Sequence, residues 1–106
     1  MSGSRTITEE SDLLDNVHPG DILREDFLIG SDIPLVEVAV GAGIDQTRLT
    51  QILANKSPVD ANIDLRLARY FGMSEGFFLG LQVDYDLEEE RRAHSDELAQ
   101  ITRRAA

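Results

Sequence analysis

The sequence contains no cysteine among its 106 residues. Disulfides, thiolate metal sites and a thiol nucleophile are therefore excluded. Histidine is almost as scarce. His18 and His94 are the only imidazoles, far apart in the chain and in neither a Glu-x-x-His nor a His-x-x-x-His spacing, so no metal site is expected. His18 reads instead as a helix-start residue bonding locally. None of Ser11, Ser31, Ser57, Ser74 and Ser95 sits in a nucleophile elbow, and the glycines form no phosphate-cradling pattern. Asp84, Asp86 and Glu88 to Glu90 have neither the loop glycine nor the ligand spacing of a cation site, and read as a solvated face. No enzyme, no cofactor and no small-molecule ligand are expected. Long apolar runs are absent too, and MSGSRTITEESDLLDN lacks the basic and apolar regions of a signal peptide. The expected location is the cytoplasm, with no membrane partner.

Basic residues are the other shortage. Ten bases stand against twenty acids, a formal net charge of −10. The surplus is spread along the chain: residues 1–17 carry one base and four acids, residues 18–60 three and seven, and residues 61–106 six and nine. That sign opposes nucleic-acid binding and suits a basic partner. What is present is a globular composition, 42% hydrophobic, at a length that allows one domain with a modest core.

The chain divides into a polar arm (1–16), a patterned domain (17–87) and a helix-friendly extension (88–106). The arm reads as mobile, with Leu13, Leu14 and Val17 tacking its end onto the body. His18-Pro19-Gly20-Asp21 opens a helix to about Ile29, since proline and an acid suit a first turn. PLVEVAVGAG, residues 34–43, alternates like a strand but would lack a strand partner. It is expected to form a two-turn helix that starts at Pro34 and ends at Gly43. Most of Leu35, Val36 and Val40 are expected in the core, the alternative being an exposed contact patch beside the turn. Asn55 to Val59 is a turn, and Asp60 or Asn62 caps a helix through LRLARYF that Gly72 stops. Ser74 is expected to cap a last helix starting at Glu75, with Phe77, Phe78, Leu81 and Tyr85 at core spacing. Phe77 and Phe78 cannot both face one core, so one of them is expected at a dimer interface with the C-terminal helix, the alternative being a partly covered boundary residue. In the extension, Glu88 and Arg92 pair at i,i+4, but Ala93, Leu98 and Ile101 are too sparse for a stable isolated helix.

The most informative stretch is IDQTRLTQILANK, residues 44–56. Ile44, Leu49, Ile52 and Leu53 share one helical face, and Asp45 stands where a helix cap belongs. Gln46, Thr47, Arg48, Thr50 and Gln51 form the other face, with Lys56 just beyond. Gln and Arg side chains make bidentate contacts to A and G in the major groove. The same face would equally suit an ordinary solvated helix. Set after a short helix and a glycine turn, it predicts an all-α, five-helix, repressor-like helix-turn-helix domain with an extended C-terminal helix.

HPGDILREDFL at 18–28, IDQTRLTQILANK at 44–56 and LRLARYFGMSEGFFLGLQVDYDL at 65–87 resemble three motifs of the HigA family of antitoxins (addiction-module antidote proteins), which carry a Cro-like helix-turn-helix. The resemblance covers roughly residues 18 to 88. It implies a cytoplasmic homodimer that represses its own operon by binding an inverted-repeat operator, and that neutralises a basic HigB-type, RelE-like mRNA endonuclease toxin. It further implies that Gln46, Thr47, Arg48, Thr50 and Gln51 face the DNA groove while Lys56 meets a phosphate. Departures from the pattern weaken phosphate binding. Pro34-Leu35 stands where a Ser-Gln pair commonly clamps the backbone, and Ser57-Pro58 follows Lys56 where bases are usual; Ala42, in place of a larger residue, instead thins the packing at the end of the second helix. Phosphate contacts carry much of the affinity but not the base readout. Two other readings stay open: a protein-binding module that kept the fold without reading DNA, and a stand-alone regulator with no toxin.

Overall fold

The computed structural model describes residues 15–105, and the expected arm at 1–16 lies almost wholly outside them. Five helices and no strand occur among the described residues. Helix α1 begins as an α-helical turn, Pro19–Ile22, and continues as a π-helical segment, Leu23–Ile29. Leu23 and Leu28 are both buried though five residues apart, which the wider i→i+5 winding allows. The Gly30 amide closes that winding on the Glu25 carbonyl at 2.9 Å.

Helix α2 (Leu35–Ala42) settles the ambiguous valine segment as a helix. Gly43 ends it at φ 68°, a conformation open to glycine at little cost. The Ile44 amide then reaches back to the Ala39 carbonyl at 2.9 Å, and Ile44 turns into the core. Only two residues, Ile44 and Asp45, separate that glycine from α3 (Gln46–Leu53). Val38 and Ala39 are the buried residues of α2's middle, Leu35 is partly covered, and Val36 and Val40 are exposed. The expectation that most of Leu35, Val36 and Val40 fill the core is therefore corrected. An α-helix buries positions 38, 39 and 42 together, and that stripe turns 36 and 40 outward.

Helix α4 (Ala61–Phe71) is capped by Asp60, whose carboxylate accepts from the Ile63 amide at 2.9 Å, and stopped by Gly72 at φ 73°. It meets α2 closely: a Cβ added at Gly41 would lie 2.2 Å from the Tyr70 ring. At Ala42 the Arg66 guanidinium donates to the backbone carbonyl at 3.3 Å.

Helix α5 (Phe77–Ala99) starts later than Ser74 and Glu75 suggest. Gly76 stands at its cap with φ 93°, and no side chain of the cap residue bonds there. The buried Asp64 of α4 does the capping from a distance, accepting from the Gly76 amide at 2.6 Å and the Leu79 amide at 2.8 Å. Local sequence could not show this, because the acceptor lies twelve residues upstream of Gly76. Phe78 is fully buried, and Phe77 is half-covered against Phe27 and Phe78 at the edge of the same aromatic cluster. Buried Gln82 accepts from the Val59 amide at 2.8 Å and so ties α5 to the turn before α4. From Glu89 onward every described residue is exposed. That stretch is held by ion pairs of Glu88 with Arg91 (3.0 Å) and Arg92 (2.8 Å), and it kinks at His94 (φ −129°, ψ 27°).

Candidate nucleic-acid interface

Helix α3 is short and strongly two-faced. Leu49, Ile52 and Leu53 are buried, while Gln46, Thr47, Thr50 and Gln51 are exposed. At about 100° per residue, Thr47 and Gln51 lie opposite the buried stripe, Thr50 beside them and Gln46 at the margin. The Asp45 carboxylate accepts from the Arg48 amide at 3.1 Å, which fixes where the helix begins. At the other end Asn55 adopts φ 63°, and the Lys56 amide closes onto the Gln51 carbonyl at 2.8 Å. Lys56 is exposed at the start of the turn that leads to α4.

Arg48, expected with the exposed set, is engaged within the chain. Its Nη2 donates to the Pro58 carbonyl at 3.1 Å and lies 3.3 Å from an Asp60 carboxylate oxygen. Its Nε is buried without a partner. The Ile63 amide first, and the Arg48 guanidinium after it, hold the Asp60 carboxyl below its ordinary pKa. One side chain thus ties the flank of α3 to the cap of α4. The exposed face that results is short, uncharged and rich in amide and hydroxyl groups. Such groups can donate to and accept from base edges, and Lys56 can meet a phosphate.

Sequence reasoning missed a second set of residues behind α3. Arg24 of α1 donates to the Leu53 carbonyl at 2.6 Å and to Asp21 at 2.9 Å. The same Asp21 oxygen accepts from the Asn55 side chain at 3.0 Å, and this bond is the main cause of its lowered pKa. His18 is buried, caps α1 by accepting from the Gly20 amide at 2.9 Å, and packs edge-on against Tyr85. The His-Pro-Gly-Asp run signalled a helix start; nothing in it signalled the contact with α3.

No model of a protein family matches the chain. It is 33% identical over 72 residues to virulence-associated protein I of Dichelobacter nodosus, covering 68% of this chain and 67% of that protein. Among solved structures, the antitoxin GraA in complex with its operator is 30% identical, with 88% of this chain and 95% of that one covered and a TM-score of 0.79. The Pseudomonas aeruginosa antitoxin HigA with the higBA promoter is 29% identical, covering 83% of this chain and 97% of that one at a TM-score of 0.77.

The chain belongs to the HigA antitoxin family. Its helix-turn-helix is the HigA fold, and both of those antitoxins were solved on DNA. No helix among the described residues is long and apolar enough to cross a membrane.

Proposed function

We propose that this chain is the antitoxin and autorepressor of a type II toxin–antitoxin module. As a dimer it binds the operator of its own operon through α3, and through its acidic surface it neutralises a basic HigB-like, RelE-type mRNA endonuclease. The observation that carries the reading is the exposed Gln46, Thr47, Thr50 and Gln51 face of a helix fixed at both ends, in a fold shared with antitoxins solved with promoter or operator DNA. Two such faces in a dimer, one helical turn of DNA apart, call for an inverted-repeat site. Lys56 would neutralise a phosphate. Helix α2 has no side-chain cap at Pro34, and the Glu37 and Val38 amides bond the Pro34 carbonyl, so the Leu35 and Val36 amides are left to meet a second phosphate without formal charge. With few cationic contacts, affinity is modest and rests on base readout.

Titration of a fluorescent duplex from the chain's own upstream region, with random duplex as competitor and salt as a variable, tests the DNA half. Selective binding that weakens as salt rises is expected. Binding with no preference at low salt would leave a protein-binding module on a helix-turn-helix fold. Co-purification with the product of the adjacent small basic reading frame tests the toxin half; a gene with no such neighbour would contradict it.

A further inference from the structure

Gly20, Asp21 and Arg24 converge on the last turn of α3 from behind. A Cβ added at Gly20 would lie 2.0 Å from the Ile52 carbonyl oxygen and 2.6 Å from the Asn55 side-chain oxygen. The first turn of α1 therefore touches the end of α3 backbone to backbone, a distance that only glycine permits. One residue on, Asp21 holds the side chain of Asn55, the left-handed residue that terminates α3. One turn further, Arg24 donates to the Leu53 carbonyl, one of the four carbonyls that a helix end leaves without an intrahelical partner. A cation there also opposes the negative end of the helix dipole. Asp21 in turn orients Arg24 at 2.9 Å. Position, closing residue and terminal carbonyl of α3 are thus each gripped by one residue of α1.

We propose that Gly20, Asp21 and Arg24 are positioning residues for operator recognition, setting the tilt of α3 although none belongs to its exposed face. The proposal rests on the DNA-binding reading above. Eight residues of helix span about 12 Å, so a tilt of roughly 5° about one end moves the other by about 1 Å. Hydrogen bonds to base edges do not survive that shift at both ends of the helix, since they occupy a range of only about 0.5 Å. Contacts of Lys56 to phosphate tolerate it, because they are less directional. Loss of the seat therefore lowers preference for operator over random DNA and leaves general DNA affinity alone.

The test compares the full chain with Arg24→Ala, Asp21→Asn and Gly20→Ala. Affinity for operator and for random duplex is measured at several salt concentrations, beside circular dichroism at the assay temperature. The expected result for Arg24→Ala is loss of on the order of tenfold in operator preference, with helical signal, random-duplex affinity and salt slope unchanged. Asp21→Asn keeps the shape and loses the charge, so it falls between Arg24→Ala and the parent chain. It also supplies the answer should Gly20→Ala or Arg24→Ala fail to fold. Unchanged preference in folded Arg24→Ala and Asp21→Asn would overturn the proposal while the DNA reading stands. Equal losses on both duplexes, with the salt slope reduced by about one, would make Arg24 a phosphate contact instead and overturn it too. A parent chain with no operator preference would overturn the DNA reading and this proposal together.

Discussion

Arg48→Ala separates two roles that an arginine on a recognition helix can have. In the free chain its guanidinium bonds the Pro58 carbonyl at 3.1 Å and pairs with Asp60 at 3.3 Å. The pair is substantially exposed, 35% at Arg48 and 54% at Asp60, so it is worth about 0.2–1 kcal/mol. The carbonyl bond adds about 0.5–1.5 kcal/mol. Truncation should therefore cost about 1–2 kcal/mol of folding stability, a fall in melting temperature of roughly 5–15 °C for a domain of this size. Operator affinity, measured at a temperature where the variant is folded, should change by less than about twofold, on the order of 0.4 kcal/mol. Thermal melts followed by circular dichroism and an operator titration on the same sample give both numbers. Asp60→Asn is the companion variant: asparagine keeps the cap of α4 but weakens the hold on Arg48. Should Arg48 instead leave the turn and grip a guanine, Arg48→Ala would lose about 1–3 kcal/mol of operator affinity with little change in melting temperature. Asp60→Asn would then bind operator more tightly than the parent chain, and the assignment of Arg48 to the turn would be refuted.

Three further outcomes follow from the packing. Asp64→Ala strands the Gly76 and Leu79 amides at the start of α5 and should cost about 3 kcal/mol in chemical denaturation, whereas a loss under 1 kcal/mol would mean water replaces the cap. His18 is held below its ordinary pKa of about 6.5 by burial, which outweighs the pull of Asp21 and Asp86 toward the charged form. The unfolded chain then binds the extra proton first, so the stability due to neutral His18 is full above about pH 6.5 and falls as pH drops toward the folded value; His18→Asn, which can still cap, should flatten that slope in urea titrations between pH 7 and 5. Gly80→Ala places its Cβ in open space inside α5 and should raise stability by about 0.5–1 kcal/mol; weaker dimerisation in sedimentation would show that a second copy approaches there.

Local pattern carried far in this chain because several of its helix ends are marked by residues with a local mechanism. Gly43 and Gly72 take the left-handed conformation, while Asp45 and Asp60 bond the amides three residues on. His18 does the same over two residues. Where the mechanism is non-local the reading failed: Ser74 looks like a cap, but Asp64 performs the work across the helix pair. Val36 and Val40 looked like core because an apolar segment gives no direction until the helix phase is fixed by Val38, Ala39 and Ala42. The π-helical winding of α1 has no counterpart in composition. For the candidate interface, the exposure of Gln46, Thr47, Thr50 and Gln51 was legible from the amphipathic pattern alone. The engagement of Arg48 by Pro58 and Asp60, and of Leu53 and Asn55 by α1, depends on residues ten or more positions away, beyond the reach of periodicity.

Operator DNA is expected to meet the exposed face of α3. Amide and side-chain NH2 resonances of isotope-labelled chain, followed while its own upstream duplex is added, test it most directly. Shifts are expected to concentrate at residues 46–57, including the side-chain amides of Gln46 and Gln51, with smaller ones at the Leu35 and Val36 amides and α5 beyond Glu89 unchanged. Shifts centred on Val40 or on α5, or none at all at low salt, would contradict it.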